Sequence, residues 1–175
     1  VTIFDVNLAR LDYLSDIFGN EISTMYSNAE QIEKSVAGCD LLIGAVLIPG
    51  AKAPCLVTKD MIHRMESGGV VVDVAIDQGG SIETIKATSH ENPTYLVNDV
   101  VHYAVPNMPG AVPRTSTYAL TNVTLRYAIK LANLGLKEAV GNDSALMRGV
   151  NTHGGKVTYK QVADDLGLSY EPMKV

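Results

Sequence analysis

The sequence predicts an α/β fold, a doubly wound parallel sheet followed by a helical segment. Three observations carry that prediction. Short apolar runs alternate with helical patterns at the lengths that parallel βαβ units need. The run over residues 70–76 is almost continuous in β-branched and apolar residues, which suits a central strand covered by helices on both faces. Pro106, Pro109, Gly110 and Pro113 fall within eight positions, and a cluster of such residues closes the alternation.

Residues 1–5 (VTIFD) read as the first strand. Asn7 is placed to cap a helix whose apolar face is Leu8, Leu11, Leu14, Ile17 and Phe18, and Gly19 and Asn20 end it. Residues 22–26 read as a second strand, and a short helix over 29–36 stops at Gly38. A third strand is expected over 40–47. Thr58 opens a helix through Met61, Ile62 and Met65, and Gly68-Gly69 releases the chain into the run at 70–76, expected to be buried on both faces. Residues 94–97 and 102–105 are weaker strand candidates. Beyond the proline cluster a helical pattern runs from 115 to about 140, with Leu120, Val123, Leu125, Ile129 and Leu131 as its apolar contacts. A last helix is expected from Thr158, where Thr158 and Gln161 have capping-box spacing, to Gly167. No strand pattern of comparable strength follows Pro113. Residues 1–112 are thus expected to form an α/β domain and residues 113–175 a separate helical segment.

Composition narrows the function classes. A chain of 175 residues, 46% hydrophobic and 19% charged, has enough apolar content to bury one sizeable core, which argues against disorder. Its net charge of −5, with no run of Lys and Arg, lacks the basic excess that a phosphate backbone selects, so no nucleic-acid partner is expected. The longest apolar stretches, 41–49 and 70–76, fall well short of the roughly 20 residues that span a bilayer, and no membrane association is expected. Val1 already lies inside a strand pattern with no basic and apolar leader before it, so the chain reads as beginning mid-fold. Cys39 and Cys55 are too few and too irregularly placed for a disulfide framework or a zinc site, and they point to a reducing cytoplasm. His63, His90, His102 and His153 form no i,i+4 pair, and no metal is expected.

In a dinucleotide-binding unit a strand leads into a glycine-rich turn, and an acid at the end of the next strand accepts hydrogen bonds from the adenosine ribose. Asp5 fits that acid, because it closes VTIFD just before a capped helix. The glycine turn would lie about 20 residues upstream, before Val1. Asp5 fits equally well as a helix-entry residue favouring the positive end of the helix dipole, and spacing leaves both readings open. A carboxylate here repels a 2′-phosphate and so favours NAD over NADP. Arg10 is either a contact to the adenine or a phosphate, or a solvated charge. Ser27 and Asn28 are open between a ribose contact and a helix cap.

An open α/β sheet places its crevice outside the carboxyl ends of its strands, where residues 46–50 and 74–80 fall. Asp77, just past the apolar run and before Gly79-Gly80, would be a carboxylate set in an apolar wall, the kind of setting found at active sites. It could equally be a turn-forming Asp before glycine. Together these features predict an incomplete Rossmann-type sheet that lacks its first strand and glycine-rich turn.

Five blocks, VTIFDVNLARL, LIGAVLIPGAKAPCLV, VVVDVAIDQGG, NMPGAVPRTSTYALTN and THGGKVTYKQVADDLGL, together resemble the L-alanine dehydrogenases from residue 1 to about residue 172. Related transhydrogenase subunits share parts of them. The resemblance implies reversible oxidative deamination of L-alanine to pyruvate and ammonium with NAD⁺, in a cytoplasmic homohexamer. Each subunit of such an enzyme inserts a dinucleotide domain into a substrate domain. Residues 1–112 would then be the NAD-binding domain lacking its first βα unit, and residues 113–175 a return to the substrate domain.

The same resemblance implies roles. Asp5 would meet the adenosine ribose, with Arg10 and Ser27 near the adenine end. Val46 and Leu47 would line the groove. Val74, Ala75, Ile76 and Asp77, with Val105, Pro106, Asn107 and Met108, would approach the nicotinamide and its ribose. Asp77 would be the active-site carboxylate, and Asn107 and Met108 would help shape the pocket. The family's catalytic His and the Arg and Lys that hold the substrate belong to an N-terminal domain, and none is carried onto His63, His90, His102 or His153. This chain is therefore expected to need the rest of the subunit for turnover. The alternatives are the NAD(H)-binding part of a proton-translocating transhydrogenase and a non-catalytic nucleotide-binding or assembly module.

Overall fold

In the computed structural model, which describes residues 1–174, β1 (Thr2–Asp5) runs into α1 (Leu8–Phe18) through Asn7, whose side chain accepts from the Arg10 N–H as an N-cap should. A 3₁₀ turn (Gly19–Glu21) leads to β2 (Ser23–Tyr26), parallel to β1 with Asp5 opposite Tyr26. Asn28 caps α2 (Ala29–Ala37), and Gly38 ends it. Next come β3 (Leu41–Gly44), α3 (Lys59–Ile62), β4 (Val70–Asp73), β5 (Thr94–Val97) and β6 (Val100–Tyr103). These four strands form one sheet in the order β3-β4-β6-β5, with β3, β4 and β6 parallel and β5 antiparallel at the edge. The β5–β6 turn is the two-residue pair Asn98-Asp99, both at positive φ, the backbone that matches the twist of a hairpin. β1 and β2 form a separate two-stranded sheet, so β1 and β3 each end their own sheet.

The core gathers Ile32 and Val36 of α2, Val57, Met61, Ile62 and Met65 around α3, and Val71, Ile82 and Val100, with Phe4, Cys39, Leu42 and Ile85 packed against them. Several elements depart from the sequence expectation. α1 buries Leu11 but leaves Leu8, Ile17 and Phe18 exposed, since it packs chiefly on β1 and β2. The third strand stops at Gly44 rather than 47, and α3 is a single turn that Thr58 caps by accepting from the Met61 N–H. The apolar run at 70–76 is not one strand. β4 ends at Asp73, and residues Val74–Gln78 form a 3₁₀ turn, because the Asp73 side chain accepts from the Ala75 N–H and draws the backbone out of the ladder. Within β4, Val71 is fully buried while Val70 and Val72 are half-buried. β6 begins two residues earlier than the pattern at 102–105 suggests.

By contact the chain divides into two units, the first comprising residues 1–46 and 53–106 and the second residues 47–52 and 107–174. In the second unit a 3₁₀ turn (Met108–Ala111) follows Asn107, and α4 (Pro113–Gly141) starts with its proline at the position where no backbone N–H is required. Gly135, at φ 71° and ψ 170°, breaks α4. Only Ala139 and Val140 of α4 are buried; Leu120, Val123, Leu125 and Ile129, expected as contacts, are exposed. Asp143 caps α5 (Ser144–Arg148) through the Ala145 and Leu146 N–H groups and pairs with Lys130 at 2.9 Å; that pairing and the cap hold its carboxyl below the usual range. A small hairpin absent from the sequence expectation follows, β7 (Thr152–His153) and β8 (Lys156–Val157), turning on Gly154 and Gly155 at positive φ. α6 (Lys160–Leu166) closes on left-handed Gly167. The Thr158–Gln161 capping box does not form, because the Thr158 hydroxyl donates to the Val150 carbonyl and Tyr159 takes the cap position.

Candidate functional site

Apart from Arg10, which lies on α1, the predicted residues of the first unit fall at or just beyond the carboxyl ends of its parallel strands. Asp5, half-buried, is the last residue of β1. Its Oδ1 accepts from the Asn7 N–H at 2.8 Å, and its carbonyl accepts from the Ser27 N–H at 2.9 Å. The bond to Asn7 shapes the helix entry, yet it uses one carboxylate oxygen and leaves the other to accept from a hydroxyl. Of the Ser27–Asn28 pair, Asn28 does the capping, so the Ser27 side chain is not committed to the helix. Arg10 is exposed and its guanidinium lies over the Tyr13 ring at 4.8 Å, a cation–π contact along α1.

The loop after β4 is the most constrained part of this edge. Asp73 is fully buried; its Oδ1 accepts from the Ala75 N–H at 2.9 Å, and its Oδ2 from the Ser81 N–H at 2.6 Å and the Ser81 hydroxyl at 3.3 Å. Between those anchors lie Val74, exposed, Ala75, buried, Ile76, half-buried, and Asp77, exposed. Asp77 therefore faces solvent from a 3₁₀ turn instead of standing in an apolar wall. Beside it, Gln78 Oε1 is buried and makes no hydrogen bond among the described residues. A buried acceptor without a donor is uncommon in folded proteins and marks a place where a donor belongs. Gly79 and Gly80, at φ 94° and 80°, turn the chain back, and the Gly80 N–H reaches the Ala75 carbonyl at 3.0 Å.

Val46 follows β3 and is half-buried, and Val105 and Pro106 follow β6, Val105 being buried. Leu47, Asn107 and Met108 belong to the second unit; Leu47 is exposed, and Asn107 is held in the left-handed region at φ 55°. Sequence reasoning missed Asp73, whose signal was a single acid inside VVVDVAI; a buried carboxylate demands donors. It also missed buried His102. Its Nδ1 lies 3.0 Å from the Val100 carbonyl and carries the proton, which leaves Nε2 to accept from the Thr84 hydroxyl at 2.8 Å. Burial pushes the His102 pKa below its ordinary value, keeping the ring neutral. Tyr95, with its ring centroid 5.2 Å from that of His102, donates to the Thr84 carbonyl and accepts from the Lys86 N–H, and burial pushes its pKa up. His102 is thus a packed, satisfied core residue.

Two sheets of mainly parallel strands, with an acid closing β1 and loops at the strand ends, followed by a kinked helix, define a Rossmann-like unit with a helical extension. The family model described as "Alanine dehydrogenase/PNT, C-terminal domain" matches residues 1–160, and the chain belongs to that family. It is 60% identical to an alanine dehydrogenase of Methanococcus maripaludis over 173 residues, 98% of this chain and 46% of the relative. It is 58% identical to an alanine dehydrogenase of Bacillus subtilis over the same shares. Among solved structures, an L-alanine dehydrogenase superposes with a TM-score of 0.81 at 52% identity, covering 95% of this chain and 46% of that one. A transhydrogenase from Sinorhizobium meliloti superposes with a TM-score of 0.71 at 25% identity, covering 90% of this chain and 45% of that one. The chain spans about half the length of the relatives it matches. Among the described residues, no helix is long and apolar enough to cross a membrane, and no group of three or more His, Cys, Asp or Glu side chains could hold a metal.

Proposed function

We propose that this chain is the dinucleotide-binding half of an NAD-dependent L-alanine dehydrogenase, which converts L-alanine, NAD⁺ and water to pyruvate, ammonium, NADH and a proton. The observation that carries this reading is the 60% identity to an alanine dehydrogenase across nearly the whole chain, against 25% to a transhydrogenase. The residues present fit a nicotinamide dinucleotide: Asp5 offers an uncommitted carboxylate oxygen to a ribose hydroxyl, and Gln78 Oε1 is a buried acceptor awaiting a donor. β1 and β3 each end a sheet, which suits a further strand and its phosphate-binding turn between them.

NAD⁺, when bound, supplies the hydride acceptor. Asp5 and Ser27 hold the adenosine ribose, with Arg10 towards the adenine. Val46 and Leu47 line the groove, and Val74, Ala75, Ile76, Val105, Pro106, Asn107 and Met108 border the nicotinamide end. Asp77, exposed on a rigid turn, orients water for attack on the imine carbon and takes up its proton. Residues 1–112 are assigned to cofactor binding and 113–175 to the substrate domain, in a cytoplasmic homohexamer whose substrate-holding groups lie in the other half of the subunit.

The test is alanine-dependent NADH formation by the complete polypeptide carrying this sequence, beside an Asp77→Asn variant. Loss of a general base lowers kcat by about 10²–10⁴-fold. Full activity in the variant would remove Asp77 from the chemistry, and no activity in the parent would overturn the function itself.

A further inference from the structure

We propose that Asp73 is a positioning residue that fixes the loop presenting Asp77, a proposal that rests on the reading of Asp77 above. Asp73 is fully buried at the end of β4, and its two oxygens receive three donors from the two ends of one loop: the Ala75 N–H on one side, the Ser81 N–H and hydroxyl on the other. A residue that merely stopped β4 would need only the first of these. The bonds to Ser81 close residues 74–80 into a ring around one carboxylate, with Asp77 near its middle. Three donors from the two ends of the loop converging on one side chain suit a clamp.

The surroundings are shaped for this carboxylate. A Cβ added to Gly44, the last residue of β3, would lie 2.4 Å from Ser81 Oγ and 3.2 Å from Asp73 Oδ1. One added to Gly80 would lie 2.3 Å from Ile85 Cγ2 and 3.1 Å from Asp73 Oδ2, at a φ of 80° that side chains rarely adopt. Two glycines thus flank the slot in which Asp73 meets Ser81. The far side of the loop is tied down as well: the Ser81 carbonyl accepts from the Leu56 and Val57 N–H groups, and the Gln78 carbonyl from the Ala53 N–H. The backbone on both sides of Asp77 is therefore fixed, and its exposed carboxylate is presented from a single turn. Positioning of a reacting group by a locked backbone is what catalysis by proximity requires.

The test uses the complete polypeptide carrying this sequence. Asp73→Asn keeps an acceptor for Ala75 but turns an amide N–H₂ toward the Ser81 N–H, opening the ring at one end. Hydrogen exchange in the absence of cofactor is expected to accelerate at least tenfold for amides 75–81 and to stay unchanged across α2. At saturating substrates kcat per folded subunit is expected to fall at least tenfold, with KM for L-alanine moving less than threefold. Val36→Ala, a buried α2 substitution, should lower stability without moving either quantity. Where Asp73→Asn does not fold, Gly44→Ala crowds the same slot from outside and is expected to give the same loop signature. Unchanged loop exchange overturns the clamp. Faster exchange with an unaltered kcat, while Asp77→Asn is impaired, overturns the positioning role. Full activity in Asp77→Asn instead overturns the reading on which that role rests, while exchange still decides the clamp.

Discussion

Asp5→Asn tests the assignment of the adenosine end. The substitution keeps an oxygen for the Asn7 N–H, so the 2.8 Å bond that shapes the entry to α1 survives and the fold is undisturbed. The oxygen not used by Asn7 becomes an N–H₂ donor that cannot accept from a ribose hydroxyl. A hydrogen bond to a charged group contributes about 1.5–3 kcal/mol, and each 1.4 kcal/mol is tenfold, so NAD⁺ affinity should fall about 10- to 150-fold. Loss of the carboxylate also removes its repulsion of a 2′-phosphate, so discrimination against NADP⁺ should narrow. The assay is titration calorimetry of both dinucleotides with the complete polypeptide, with thermal unfolding to verify that the variant is folded. An NAD⁺ affinity within twofold of the parent, with NADP⁺ binding unaltered, would refute the assignment and leave Asp5 as a helix-entry residue.

Further outcomes follow from packing and titration. Gly44→Ala should cost about 1–3 kcal/mol in urea unfolding, as overpacking does, because its Cβ falls 2.4 Å from Ser81 Oγ. Gly38→Ala, with nothing within 4 Å of the added carbon, should change stability by less than about 1 kcal/mol; equal effects would contradict the slot geometry. His102, packed among Thr84, Tyr95 and Val100, has its pKa lowered by burial, so the unfolded chain binds the proton more readily than the folded one. Its contribution is full above the unfolded value of about 6.5 and is lost as pH falls from there toward the lower folded value. A His102→Gln variant should therefore lose less stability than the parent between pH 7 and pH 5 in denaturant titrations, and equal losses would show that His102 does not titrate as described.

The parts of the fold legible in the sequence are those where a local side chain dictates the backbone. Asn7, Asn28 and Thr58 cap helices where their spacing requires, and Gly38 and Gly167 end them. The end of β4 was hidden because Asp73 sits inside an apolar run whose pattern does not distinguish a strand from a strand followed by a 3₁₀ turn. The hairpin at Gly154-Gly155 was too short to register beside the helices that flank it. Thr158 shows the opposite failure: its spacing suited a capping box, but the distant Val150 carbonyl captured its hydroxyl. In α4, Leu120 and Val123 read as contacts although they are exposed, since an apolar pattern records that a face is suited to burial and not what covers it. The crevice rule pointed to Val46 and the 74–77 loop, and the strand-end acid of a dinucleotide unit to Asp5, whereas the roles proposed for them came from the family blocks. Asp77 proved exposed, and the buried carboxylate of this loop is that of Asp73.

Hydride transfer itself is the most direct test of the central claim. The complete polypeptide carrying this sequence should be given NAD⁺ and L-alanine bearing deuterium at Cα, and the reduced dinucleotide examined by mass spectrometry. The predicted result is one deuterium in the nicotinamide for each pyruvate formed. Pyruvate without deuterated NADH, or no dinucleotide reduction at all, would contradict assignment of this chain to an NAD-dependent alanine dehydrogenase.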